Sequence, residues 1–335
     1  MLKIQGYTPE GVVSFVETNK KIYVYSRDGL CFTSRDFAEI ESTTPIEMCG
    51  IQYRNDIRCV KYRGNYGPKY SGEISLHSYS DWKNLILNKK VTIEEKEILI
   101  AVSENEGTFD TVQSYDSEIV SVGLMQKTIN ILGSGELPIQ LREFKQINSD
   151  KFRLLFENCG WTVDNINNEA HAFYKGKTGQ ELKDLIRKGF NASTHGKYVV
   201  SIPIEPLINA CKDISFQEKQ IIDYLKRYKE AINKIPTGFT YKIGDYAKSK
   251  LSKALVFDND INRPSQVCDC YAKALNLFFD QNPNVSNNPN NWGTNHTVYE
   301  KQINEIYGPL RGNNEMGFSM TNAIKRYNTL KSLLL

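Results

Sequence analysis

The sequence predicts an α+β protein: a mostly helical domain with a small β-hairpin, preceded by a small β-rich N-terminal module. Polar and apolar residues alternate in short runs over the first 85 residues, as strands require. From about residue 90 onward, apolar residues recur at helical spacing behind capping signals. The chain has 335 residues, of which 40% are hydrophobic, so it can build two domains. We place them at residues 1–87 and 88–335.

Three alternating segments are the clearest strands of the N-terminal module, and they cover residues 21–26, 57–62 and 73–78. The first is followed by Arg-Asp-Gly at 27–29, which predicts a turn. Short strands at this spacing are typical of a small barrel or sandwich. No group of catalytic side chains occurs here, so the module is predicted either to bind or dock, or to be a purely structural extension.

The helical domain opens with a capping box, in which Thr92 precedes Glu95 by three residues. The helix that follows is apolar and ends before Gly107. Further helices are predicted over residues 124–132, 138–147, 149–159, 178–188, 215–235, 245–262, 266–279 and 315–333.

Charge and hydropathy exclude several classes of protein. The 42 basic and 39 acidic residues leave a net charge of +3, which argues against non-specific binding to nucleic acid. No apolar run approaches the roughly 18 residues of a membrane span, and the N-terminal residues lack the apolar core of a signal peptide. We therefore expect no membrane span and synthesis in the cytoplasm.

The seven cysteines are odd in number and scattered, which favours buried free thiols over a disulfide framework. Cys268 and Cys270 form a close pair without a second pair or a histidine cluster nearby. The sequence therefore predicts no zinc site.

The segment from 101 to 126 carries the strongest chemical signal. An apolar helix ends on Glu106, and Gly107 terminates it. A carboxylate at a helix C-terminus faces the negative end of the helix dipole, which raises its pKa, and Glu104 and Asp110 act in the same direction if they are close. A raised pKa is what a general acid needs near neutral pH. The alternating residues 119–122 then predict a β-hairpin, and Gly123 is expected to open the next helix.

This order of helix, catalytic-type Glu, hairpin and glycine resembles the lysozyme superfamily over residues 90–135. Phage-type lysozymes carry Glu-Gly, then a Tyr-x-Asp-like element, then Thr-x-Gly; here Glu106-Gly107, residues 114–116 and residues 121–123 lie at nearly that spacing. Lytic transglycosylases and goose-type lysozymes carry Gly-Leu-Met-Gln, as residues 123–126 do. The chain departs from the first pattern by Ser121 in place of Thr and by lacking the Gly-His that usually follows. It departs from the second pattern by Gly107 in place of Ser.

The resemblance implies a peptidoglycan-cleaving glycosidase, a muramidase, that needs no metal and no organic cofactor. It implies Glu106 as general acid, Asp116 as base or electrostatic stabiliser and Ser121 as a residue that positions water. Tyr115 and Gln126 would line the sugar cleft. Glu104 is the alternative acid.

Two alternatives stay open at this point: a lytic transglycosylase, and a non-catalytic structural or binding component of a phage or injection particle. The implied partner is bacterial peptidoglycan, with a phage or injection-apparatus protein as a further one. Without a signal peptide, the chain would reach the wall by non-classical export, phage release or injection.

Overall fold

The computed structural model describes residues 57–335 and the backbone of four short strands before them. These strands form two antiparallel hairpins: β1 (Ile4–Tyr7) with β2 (Val13–Val16), and β3 (Tyr23–Tyr25) with β4 (Cys31–Thr33). The strand predicted over residues 21–26 is thus confirmed at its centre. The turn predicted at 27–29 lies outside the described residues.

An antiparallel five-stranded sheet crosses the predicted boundary between residues 87 and 88. Its strands follow one another in chain order: β5 (Arg58–Tyr62), β6 (Asn65–Tyr70), β7 (Val112–Gln113), β8 (Val120–Val122) and β9 (Lys127–Ile129). β6 pairs with β7, so that Tyr70 lies opposite Val112. Residues 57–87 therefore share a sheet and a core with the chain that follows.

Helices provide most of the remaining structure, and the overall α+β class is confirmed. Two helices lie between β6 and β7. The others follow β9, and a further antiparallel hairpin lies among them. In chain order the elements are α1 (Trp82–Leu87), α2 (Ile93–Glu106), α3 (Glu136–Ile147), α4 (Ser149–Leu155), β10 (Trp161–Ile166), β11 (Glu169–Tyr174), α5 (Gly179–Ile186), α6 (Ile204–Ala210), α7 (Ile214–Asn233), α8 (Ile243–Tyr246), α9 (Lys250–Asn262), α10 (Val267–Gln281), α11 (His296–Leu310) and α12 (Ala323–Leu334).

The helix predicted over residues 124–132 is wrong, because the chain turns back into β9 there. Gly123 has a φ of +81° and Gln126 a φ of +49°, both incompatible with a right-handed helix. The Gln126 N–H donates to the Gly123 carbonyl at 3.0 Å and closes the turn. Gly123 therefore ends a strand instead of opening a helix, and the next helix, α3, begins only after Gly135.

Two buried apolar clusters form the interior of residues 57–335. The sheet-side cluster covers one face of the five-stranded sheet and includes Val112, Val120 and Phe144. The helix-side cluster includes Leu99 of α2 and Phe257 of α9. The helix α7 belongs to both, because its first turns pack into the sheet-side cluster and its later turns into the helix-side cluster.

One of the five cysteines within residues 57–335 differs from expectation. Cys159 is disulfide-bonded, whereas Cys59, Cys211, Cys268 and Cys270 are free. The spacing of the cysteines in the sequence does not reveal a single disulfide bond. Among the described helices, none combines the length and apolar composition needed to cross a membrane.

Candidate functional site

Glu106 is the last residue of α2, as the sequence predicted. The helix begins with the expected capping box, in which the Thr92 hydroxyl accepts the Glu95 N–H at 3.1 Å and the Glu95 carboxylate accepts the Thr92 N–H at 2.7 Å. It ends at Gly107, whose φ of +152° disfavours any other residue. The Glu106 side chain therefore lies at the end of a helix that is capped at its start, is ended by glycine and packs one face into the core.

Three helices bring charged groups together around Glu106. Arg326 of α12 contacts the Glu106 carboxylate and also Asp258 of α9, whose Oδ1 lies 2.5 Å from the Arg326 guanidinium. Arg311, at the end of α11, donates to the other oxygen of Asp258 at 2.7 Å, and both of these side chains are fully buried. Two carboxylates and two guanidinium groups thus form one connected cluster with no net formal charge.

The end of α2 is tied into this cluster through its backbone as well. The Arg326 guanidinium donates to the carbonyl of Asn105 at 2.9 Å. The Asn105 side-chain amide donates to Asp258 at 3.2 Å. These bonds fix the direction in which the helix presents Glu106.

Burial raises the pKa of Glu106 to about 7. Arg326 acts against the increase because it favours the charged carboxylate, and Asp258 acts with it because it is a second negative charge. Desolvation outweighs the arginine, so near neutral pH a substantial fraction of Glu106 holds its proton. The pKa of Arg326 is raised in turn by Asp258 and Glu106.

Tyr224 of α7 lies behind the carboxylates. Its ring packs against Phe257 with centroids 4.7 Å apart. Within the described part of the chain its buried hydroxyl has no hydrogen-bond partner. Burial, and then the charges of Glu106 and Asp258, raise the pKa of Tyr224 well above its usual value, so the phenol stays protonated.

The other residues implied by the resemblance lie on the sheet side of the molecule. Asp116 is in the loop between β7 and β8, where its Oδ1 accepts the backbone N–H of Glu118 at 3.0 Å and its carbonyl accepts from Arg187 at 2.8 Å. Tyr115 donates to the Gln113 side chain at 2.8 Å. Burial raises the pKa of the Tyr115 hydroxyl. Among the described residues, Glu106 and Asp116 share no hydrogen-bond partner.

Ser121 is the middle residue of β8, and Gln126 lies in the turn that follows this strand. Ser121 is buried and lies opposite Gln113 on one neighbouring strand and Thr128 on the other, so these three polar residues share the sheet face that points away from the apolar core. The Gln126 amide donates to the Gly123 carbonyl at 2.8 Å. The Gln126 Oε1 is buried and has no partner among the described residues.

The structure thus brings Glu106 together with residues that sequence reasoning missed: Asp258, Arg311, Arg326 and Tyr224. Glu104, the competing acid, is exposed two residues earlier on α2. No sequence motif near Arg326 signals its role. Within residues 57–335, no three His, Cys, Asp or Glu side chains are grouped so that they could hold a metal ion.

Comparisons of the chain with protein-family models, with curated proteins and with solved structures find no match.

Proposed function

We propose that the chain is a lysozyme-like glycoside hydrolase that cleaves the aminosugar backbone of bacterial peptidoglycan, with Glu106 as its general acid. The proposal rests on the position of Glu106 at the end of α2, in a buried cluster with Arg326 and Asp258 where burial raises its pKa. Cleavage of a glycosidic bond requires a carboxylic acid that is still protonated near neutral pH and can give its proton to the leaving oxygen.

Arg326 has a defined part in this chemistry. When Glu106 gives up its proton, the carboxylate that forms already contacts a guanidinium group that Asp258 holds in place. The negative charge therefore appears where a positive charge is preorganised, and no rearrangement of solvent is needed. Arg326 is a positioning and stabilising residue, because it acts on the acid and not on the sugar.

The proposed second carboxylate is Asp116, which would act as base or electrostatic stabiliser, with Ser121 placing the water and with Tyr115 and Gln126 binding the sugar. The unpartnered Gln126 Oε1 supports a polar ligand at this turn, because a buried acceptor without a donor is costly. The overall plan also supports the proposal, since a helical lobe carries the acid and a small sheet carries the other residues.

The lytic transglycosylase alternative is favoured by one observation. Asp116 uses one carboxylate oxygen in a local turn and, among the described residues, makes no hydrogen bond that links it to Glu106. A transglycosylase can complete the reaction with a hydroxyl of the substrate and needs no second carboxylate. Under either reaction the wall is the target, reached after export, phage release or injection. If the chain is instead a non-catalytic component of a phage or injection particle, it has the same charged cluster but does not cleave peptidoglycan.

Turbidity of purified bacterial walls tests the acid. Glu106→Gln keeps the size of the side chain and removes its transferable proton, so lysis should slow by at least ~10². Glu104→Gln is the matched control on the same helix and should lyse at the wild-type rate. Unchanged lysis by folded Glu106→Gln would reject the assignment, and loss of lysis only in Glu104→Gln would transfer the role to Glu104.

Product masses separate the two reactions. Hydrolysis adds water and gives products roughly 18 mass units heavier than the anhydro-sugars of transglycosylation. Asp116→Asn should then slow hydrolysis strongly while the protein stays folded. Anhydro products together with an active Asp116→Asn variant would establish the transglycosylase alternative.

A further inference from the structure

A cavity of about 300 Å³ lies away from the Glu106 cluster, where the loop between α7 and α8 meets α10 and the loop that precedes α11. None of its lining residues carries a charge, and none belongs to the cluster around Glu106. Its volume is at the lower end of the range of about 300–1,000 Å³ for small-molecule sites, so it suits a ligand the size of one sugar ring.

Aromatic rings form one wall of this cavity and hold one another in place. Phe239 and Phe279 are stacked with centroids 6.2 Å apart and ring planes 25° apart. Tyr246 meets both Phe239 and Tyr241 edge to face, at 6.2 and 6.4 Å. Because each ring is fixed by its neighbours, the wall requires little ordering when a flat ligand binds.

Amide side chains provide the polar part of the lining. Asn276 comes from α10 and Asn287 from the loop that follows it, and both side chains are exposed. Within the described residues neither side-chain amide makes a hydrogen bond, although the Asn287 carbonyl accepts from the Tyr246 hydroxyl at 3.1 Å and so anchors the loop to the aromatic wall. Both amides are therefore available to a ligand as donors and acceptors.

We infer that this cavity binds a single neutral N-acetylamino sugar, with the sugar ring against the aromatic wall and the acetamido group paired with Asn276 and Asn287. The lining offers no charged side chain to pair with a phosphate or a carboxylate. An apolar ligand would make no use of the two exposed amides. An N-acetylamino sugar has an apolar ring face and a neutral amide that satisfies both features. The inference adds a second carbohydrate site and does not require Glu106 to be catalytic.

The test is an NMR titration of the full chain with N-acetylglucosamine, which follows the side-chain amide signals of Asn276 and Asn287. Saturable shifts of both signals are expected, and glucose, which lacks the acetamido group, should bind at least about fivefold more weakly, the equivalent of one hydrogen bond. Asn276→Ala should weaken N-acetylglucosamine binding by a similar factor. The control Asn284→Ala changes an exposed asparagine outside the lining and should leave binding unchanged.

Absent shifts, equal affinity for glucose, or binding that survives Asn276→Ala combined with Tyr241→Ala would each overturn the inference. The titration measures no cleavage, so its outcome is independent of whether Glu106→Gln abolishes lysis. The same titration on Glu106→Gln should give unchanged shifts. If Glu106→Gln removes them instead, the sugar binds at the acid and the cavity is not a site.

Discussion

Replacement of Glu106 by Gln should change how stability depends on pH. The pKa of Glu106 is about 7 in the folded protein, against an ordinary value of 4.5. The folded state therefore binds this proton more tightly than the unfolded state. Its contribution to the free energy of unfolding is complete below about pH 4.5 and is lost as the pH rises to about 7. One pH unit is worth about 1.4 kcal/mol, so the loss over this window is about 3 kcal/mol.

Urea unfolding of the wild type and of Glu106→Gln, measured from pH 4.5 to 8, reports this loss. Gln does not titrate. The free energy of unfolding of the wild type, relative to that of the variant, should therefore fall by about 3 kcal/mol as the pH rises. Other ionisable groups cancel in the difference. Glu104→Gln, at an exposed position on the same helix, should give a flat difference from wild type. A flat difference for Glu106→Gln as well would refute the argument that burial raises the pKa of Glu106.

Three further changes test the surroundings of the site. Arg326→Met leaves Glu106 without its cation and should lower the free energy of unfolding, measured in urea, by about 3 kcal/mol. Adding Glu106→Gln to this variant should recover part of the loss. Tyr224→Phe removes a buried hydroxyl without a partner and should stabilise the protein by about 1 kcal/mol; a destabilised variant would mean that the hydroxyl is bonded. A fragment of residues 88–335 lacks β5 and β6, so circular dichroism and solubility should show a molten or aggregated protein, whereas a cooperative melt would show that these strands are dispensable.

Local chemistry made the start and end of α2 predictable from the sequence. Thr92 and Glu95 cap the helix through bonds within one turn, and Gly107 ends it through its own backbone conformation. Because both signals act between residues close in sequence, they need no knowledge of the fold. The same reasoning placed Glu106 at the end of α2, but it attributed the raised pKa to the helix dipole, whereas burial is the largest cause.

Contacts between distant residues were not predictable in this way. Arg326 is 220 residues from Glu106 in sequence, and the residues around Arg326 do not indicate which carboxylate it contacts. The pairing of β6 with β7 likewise joins strands separated by two helices, and the change from strand to helix periodicity near residue 88 does not reveal it. The apolar residues after Gly123 fit a helix by composition, and only the turn made by Gly123 and Gln126 directs them into a strand.

The helix α7 couples the two apolar clusters energetically. Phe216 is buried with the sheet and Tyr224 with the helices, two turns further along the same rod, which is about 30 Å long over its 20 residues. Unwinding either half of this helix exposes apolar side chains of the cluster into which that half packs, and it removes helical turns that support the other half. Partial melting of one cluster is therefore costly, and heating that unfolds the sheet also destabilises the helices that hold Glu106.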